Sequence, residues 1–277
     1  MNYKTVQPYF SFVITTKNEE LNIRNLIESI INQSFTDYEI IIIDNFSTDR
    51  TEEICTSYNQ VSFFHYGPER GQQRTFGVNK AKGKYIIWPD ADHILESSLL
   101  QDCYDLTKNN KNLCLFIPER IIVNNYFNKI RNFERSFYDG TPIDCPRLIP
   151  KEIFLKIIDE QKKTHTFNAG PDDWDIYNYC EIYSNFGISS SKMMHNETKL
   201  TIKQYFEKKR KYMNEMNKFL LKWKNHRLNN FRFGITNRLI LVFFRKGKIL
   251  YTFKNIHLFI PLLLIRLYVG LIYFIYK

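Results

Sequence analysis

The amino-acid sequence predicts an α/β fold: a Rossmann-like, mixed but mostly parallel sheet flanked by helices, followed by a basic and apolar helical extension. Three observations carry this. Short, continuously apolar, β-branched runs alternate with helical-period segments through the first hundred residues, the pattern of strands covered on both faces. Acidic, amide and hydroxyl residues gather just after those runs, where ligands bind in such sheets. The charge is also unevenly distributed. The 277-residue chain has 39 Lys/Arg and 29 Asp/Glu. Residues 199–277 hold 18 basic and 2 acidic residues, or +16; residues 1–198 keep 39 − 18 = 21 basic and 29 − 2 = 27 acidic, or −6.

The elements follow in order. Residues 10–15, 38–43, 61–65 and 85–88 read as strands. Residues 19–33 place Leu21, Ile23, Leu26, Ile27, Ile30 and Ile31 at helical spacing. Residues 48–58 read as a helix with Ser47 or Thr48 as N-cap and Glu52 and Glu53 in its first turn. Residues 72–81 form a helix ended by Gly83. Beyond residue 110 the alternation weakens: 113–118 and 147–149 read as strands, and 121–138, 151–159 and 172–183 as helices.

From residue 201 the pattern changes. Residues 201–228 form a basic helix or helix pair with interleaved aromatics, and 237–244 and 256–276 are strongly apolar. The last run approaches spanning length, but Pro261 and Arg266 interrupt it and Lys/Arg flank it. A helix lying in the membrane interface fits this better than a spanning one; packing on the protein's own core is the other reading. The expected organisation is a catalytic domain over 1–200 and a membrane-associating region over 201–277.

A 44% hydrophobic content excludes a disordered chain. Five cysteines without a C-x-x-C pair read as buried, reduced thiols of a cytoplasmic protein. No charged-then-apolar leader opens the sequence. The basic tail permits nucleic acid, but the acidic remainder argues against it.

Asp90-Ala91-Asp92 follows the fourth strand. Two carboxylates one residue apart at a strand end can share a hard divalent cation, Mg²⁺ or Mn²⁺, which compensates a diphosphate leaving group. Asp44-Asn45 closes the second strand, and Thr15, Lys17 and Glu19 follow the first; these suit a nucleotide. Arg70 and Arg74, at a helix start, suit a pyrophosphate. Gly170-Pro171-Asp172-Asp173-Trp174-Asp175 places three carboxylates around an indole. Like charges so close raise at least one pKa, as a general base needs, and Trp174 can pack under the site or against a sugar face. His195 can complete a metal shell. Glu119 and Arg147 join Asp172 and Trp174 as acceptor or sugar contacts.

Three stretches, FSFVITTKNEELNIRNLIESIINQSFTDYEIIIIDNFSTDRT, GQQRTFGVNKAKGKYIIWPDADHIL and GPDDWDIY, resemble glycosyltransferase family 2, whose fold is GT-A. The resemblance covers roughly residues 10–200. It implies that Asp44, Asn45, Thr15, Lys17 and Glu19 hold the nucleotide, Asp90 and Asp92 the metal, with His195 reaching it, and that Asp173 is the inverting base. Asp172 stands where the family usually has Glu, and Asn45 where many members have a second aspartate. The Gln-x-x-Arg-Trp motif of processive synthases is missing, which implies one sugar per encounter.

The sequence thus predicts a metal-dependent, inverting, hexosyl-type glycosyltransferase. Its donor is a UDP-, GDP- or dTDP-sugar and its acceptor a lipid-linked or surface glycan precursor. Its expected place is peripheral on the inner face of the cell membrane, at an anionic surface. Two alternatives stay open: a sugar-1-phosphate nucleotidylyltransferase, though residues 13–20 lack the usual glycine-rich loop, and a non-catalytic membrane adaptor.

Overall fold

The computed structural model describes residues 7–163 and 172–275. In chain order the elements are β1 (Phe10–Thr16), α1 (Ile23–Ile31), β2 (Tyr38–Asp44), α2 (Thr51–Thr56), β3 (Val61–His65), α3 (Arg70–Lys80), β4 (Tyr85–Ile87), β5 (His93–Leu95), α4 (Leu99–Thr107), β6 (Leu113–Phe116) and β7 (Glu119–Ile121). There follow α5 (Tyr126–Arg135), β8 (Leu148–Pro150), α6 (Lys151–Lys163), α7 (Asp172–Tyr183), β9 (Asn185–Ile188), β10 (Met193–His195), α8 (Ile202–Lys222), α9 (Asn229–Phe233), α10 (Val242–Phe244), α11 (Ile249–Lys254) and α12 (Ile256–Ile275).

These group into two compact units. Among the described residues the first takes 7–118, 146–163 and 178–194, and the second takes 119–145, 172–177 and 195–275. The grouping differs from a single cut at residue 200, because α5 and the loop after it share a hydrophobic core with the C-terminal helices.

The first unit is built on a seven-stranded mixed sheet, ordered β3-β2-β1-β4-β8-β6-β9. Strands β1 to β4 run parallel, and β8 enters antiparallel between β4 and β6. Register aligns Thr16 with Asp44 and Asp44 with His65, so the carboxyl ends of β1, β2 and β3 share one edge. The strands are apolar on both faces: Phe12, Ile14, Ile40 and Ile42 join the core with Ile23, Leu26, Ile27 and Ile30 of α1. That burial is the main stabilisation of the unit.

Several local expectations need correction. α2 begins at Thr51, with no side-chain cap from Ser47 or Thr48. Ser47 is instead taken by Asp44, to which its N–H and hydroxyl both donate, and the Thr48 N–H donates to Asn18 Oδ1. The helix expected over 121–138 starts only at Tyr126, after β7, because Asn125 caps it by accepting the Asn128 N–H at 2.9 Å. Strands β5, β7, β9 and β10 and helix α4 are additional elements; the strands are three or four residues long, too short to show a period.

In the second unit α8 opens with a reciprocal capping box between Thr201 and Gln204. α12 packs against α5 and α8, burying Leu258, Leu262 and Ile265. Arg266, which interrupted the apolar run, is only 7% exposed. It donates from Nε to Glu134 of α5 at 3.1 Å. Among the described residues no helix is long and apolar enough to cross a membrane. All five cysteines are buried thiols.

Candidate active site

In the first unit, two loops at the carboxyl edge of the sheet are stitched together. Asn18, in the left-handed region at φ 54°, donates its N–H to Ser47 Oγ and accepts from Thr48 N–H; asparagine tolerates that conformation best after glycine. The Glu19 N–H donates to Thr51 Oγ1, the Glu20 N–H to Asp49, and the Arg50 N–H to Glu20. Asp44 is fully buried, and its carboxylate accepts from Ser47 and lies 3.5 Å from His65 Nδ1. Asn45 donates its amide to the Pro68 carbonyl at 2.7 Å. Thr15 is half-buried and Lys17 exposed beside them. Thr15, Lys17, Glu19, Asp44 and Asn45 therefore stand together on one sheet edge.

Just after β4, Trp88 is buried with two guanidinium groups over its ring, Arg74 at 4.0 Å and Arg147 at 4.9 Å. Arg74 and Arg147 are each 4% exposed. Arg147, expected at the acceptor, donates Nη2 to Asp90 Oδ2 at 3.1 Å. Arg70 opens α3 on the surface. Gln73, buried on the same helix, donates its amide to the carbonyls of Ile43 and Thr16, holding α3 to the ends of β2 and β1.

Asp90 and Asp92 are half-buried. Desolvation, followed by the charges of Asp92, Asp90 and Asp49, raises the Glu19 carboxyl against a hydrogen bond from Asn22. Asp90 and Asp92 thus repel Glu19, and a divalent cation relieves such repulsion. Fully buried His93 offers a ring nitrogen within 4.8 Å of an Asp92 oxygen, while its Nδ1 accepts the Asp90 N–H at 3.0 Å. Hard oxygen donors with one imidazole suit Mn²⁺ or Mg²⁺.

The second unit holds the remaining candidates. Asp172 and Asp173 begin α7, and the Asp173 N–H donates to Asp172 Oδ1; the preceding Gly170-Pro171 lies outside the described residues. The Cys145 thiol donates to the Asp173 carbonyl, and Trp174 Nε1 to the Ile143 carbonyl. The Trp174 ring packs on Phe219 and Phe233. Asp175, 1% exposed, accepts from Trp223 Nε1 and pairs with Lys222, each at 2.7 Å. That carboxylate anchors α7 to α8, so of the three acids Asp172 and Asp173 are the candidates for chemistry. Glu119 is 2% exposed, bound to Arg135 and 3.7 Å from His195 Nδ1.

Sequence reading passed over Asp49, Gln73, Trp88 and His93. His93 directly follows Asp90-Ala91-Asp92 and was visible in that motif. Asp49 is held against desolvation by hydrogen bonds from Thr51 and the Glu20 N–H, which leave its pKa lowered. Its link to Glu20 spans 29 positions, which no local pattern shows.

The model of the family described as "Glycosyl transferase family 2" matches residues 11–171, more than half of the chain. The chain belongs to that family. Glycosyltransferase GlyG of Streptococcus pneumoniae is 27% identical over 124 residues, 43% of this chain and 39% of the relative. Poly(ribitol-phosphate) beta-N-acetylglucosaminyltransferase TarS of Staphylococcus aureus is 29% identical over 103 residues, 34% of this chain and 18% of the relative. The chain thus aligns with less than half the length of these relatives. The TarS crystal structure superposes with a TM-score of 0.54 at 15% identity, covering 82% of this chain and 46% of that one; TarS has also been solved with UDP-GlcNAc. GalNAc-T7 with UDP, GalNAc and Mn²⁺ superposes with a TM-score of 0.53 at 16% identity, covering 69% and 43%. The fold is the expected GT-A architecture, with its helical C-terminal extension.

Proposed function

We propose that the chain is an inverting, metal-dependent glycosyltransferase that moves a sugar from a nucleoside diphosphate to a lipid-linked or surface glycan precursor. The observation carrying this is the carboxylate cluster of Glu19, Asp90 and Asp92 on the strand-end edge that also holds Asp44 and Asn45. Asp44, Asn45, Thr15 and Lys17 receive the nucleotide. Asp90 and Asp92, with His93 beside them, hold Mn²⁺ or Mg²⁺. When bound, the cation neutralises charge developing on the departing diphosphate. Arg147 fixes the Asp90 carboxylate, and the stacked Arg74 adds positive field. Asp173 takes the proton of the acceptor hydroxyl as its oxygen attacks the anomeric carbon; with an ionised phosphate acceptor it orients instead. Support for a nucleotide-sugar comes from TarS, which has been solved with UDP-GlcNAc, and support for the metal from Mn²⁺ in GalNAc-T7. The relatives TarS and GgaB, a minor teichoic acid biosynthesis protein, support a surface-glycan acceptor. The +16 tail supports meeting that acceptor at an anionic membrane surface.

The experiment is a donor screen of UDP-, GDP- and dTDP-sugars with and without Mn²⁺. Asp173→Asn should lower kcat by roughly 10²–10⁴ with donor KM unchanged. Full transfer by this variant at saturating donor would remove Asp173 as the base.

A further inference from the structure

α12 is inverted relative to a helix on a water-facing surface. Its outward stripe is Ile256, Ile260, Leu264, Leu267 and Leu271, each 44–63% exposed. These positions repeat every three or four residues, so they form one face. Arg266, the only charged residue of the helix, lies on the buried side, bonded to Glu134, Tyr138 and the Arg238 carbonyl. Exposed Ile249, Leu250 and Phe253 of α11, and Ile240 and Leu241 of the π-helical turn before α10, add carbon surface in the same unit. A surface helix normally turns its charges outward, and a contiguous apolar stripe marks a place something else covers.

Charge identifies that cover. Residues 216–277 contain 12 Lys/Arg and no Asp/Glu. Arg245 and Lys254 are exposed among the apolar positions. A stripe of carbon in a segment with cations and no acids complements an anionic lipid leaflet, whereas a self-associating face would bring cations against cations. Beside the stripe opens a groove of about 510 Å³, lined by Phe127, Ile130, Leu200, Pro261 and Leu264, with Lys199 also on its wall. Its lining suits a hydrocarbon chain.

We infer that α12 lies in the plane of an anionic leaflet with its Ile256–Leu271 stripe immersed, and that the Arg266–Glu134 pair holds it in that rotation. This deepens the reading of a glycosyltransferase with a membrane-held acceptor and rests on it. The test sediments the full-length chain with sucrose-loaded phosphatidylcholine vesicles, with and without phosphatidylglycerol. It compares wild type with Leu264→Gln/Leu267→Gln, whose positions are exposed, so the thermal melt should not change. Wild type should bind the phosphatidylglycerol vesicles, weakening with salt, and the double variant about tenfold less. Manganese-dependent UDP-sugar hydrolysis without vesicles should be the same for both. Equal binding by the two proteins, binding indifferent to phosphatidylglycerol and salt, or a lipid-free wild-type dimer that the variant converts to monomer would each overturn the inference. Hydrolysis absent from both proteins while vesicle binding behaves as stated would instead sink the catalytic reading alone.

Discussion

Glu134→Gln is the sharpest test of how the C-terminal unit is held. Glu134 is 4% exposed and accepts from Tyr138 at 2.7 Å and Arg266 at 3.1 Å, with Arg131 on its other oxygen. Burial alone would raise its pKa, but Arg266 and Arg131 outweigh it and hold the carboxyl well below the usual range. Gln keeps the shape and an acceptor oxygen but removes the charge. Arg131 keeps Glu197 at 3.1 Å, but Arg266 then stays in the interior without its carboxylate, and breaking such a buried pair costs about 3–5 kcal/mol. At a urea slope of ~2–3 kcal/mol/M, the midpoint should fall by roughly 1–2 M. Adding Arg266→Met removes the stranded cation, so the double variant should recover part of that loss, with a coupling of about 1–3 kcal/mol. The assay is urea unfolding followed by far-UV circular dichroism. Strictly additive losses, or Glu134→Gln within about 0.5 kcal/mol of wild type, would refute the network as the fastening of α12.

Three further outcomes follow from other parts of the structure. Asp92→Asn should lower Mn²⁺-dependent transfer by roughly 10²–10³ and weaken Mn²⁺ binding by calorimetry, with His195→Ala as the companion variant that tests its expected part in the metal shell. Gly83→Ala should cost about 1–3 kcal/mol in a thermal melt, since a Cβ there would sit 2.7 Å from the backbone of Phe10 and Ser11, which cannot yield as a side-chain end can. Lys209→Met should stabilise the chain in a pH-dependent way. Burial, then repulsion from Arg131, pushes the Lys209 ammonium down to about 7, against about 10.4 unfolded. Below pH 7 the lysine is charged in both states and the cost is full. Between about 7 and 10.4 the unfolded chain binds the extra proton, so wild type regains stability as pH rises. The variant's advantage should be fullest below about pH 7 and vanish by about pH 10.

Much of the first unit was legible because its signals are local. β-branched runs announced β1 and β2, and placement after a parallel strand singled out Asp44, Asn45, Asp90 and Asp92 without knowledge of any partner. The site's supports were not legible. Arg147 was read as an acceptor contact; that it meets Asp90 and Trp88 across 57 and 59 positions was not legible. Trp174 was read as packing under the site or against a sugar face; its contacts with Phe219 and Phe233, 45 and 59 positions on, were not legible.

By itself the sequence determined the alternation that folds as a mostly parallel sheet, the strand-end acids, and a basic, apolar tail. These follow from periodicity and residue type, which act over a few positions. Only the tertiary structure decided that residues 119–145 share a core with the C-terminal helices, and that α12 turns its one charge inward and one of its apolar stripes outward. Helical spacing puts residues on faces, but it does not say which face is buried. That is settled by a partner far along the chain, here the carboxylate of Glu134 waiting for Arg266.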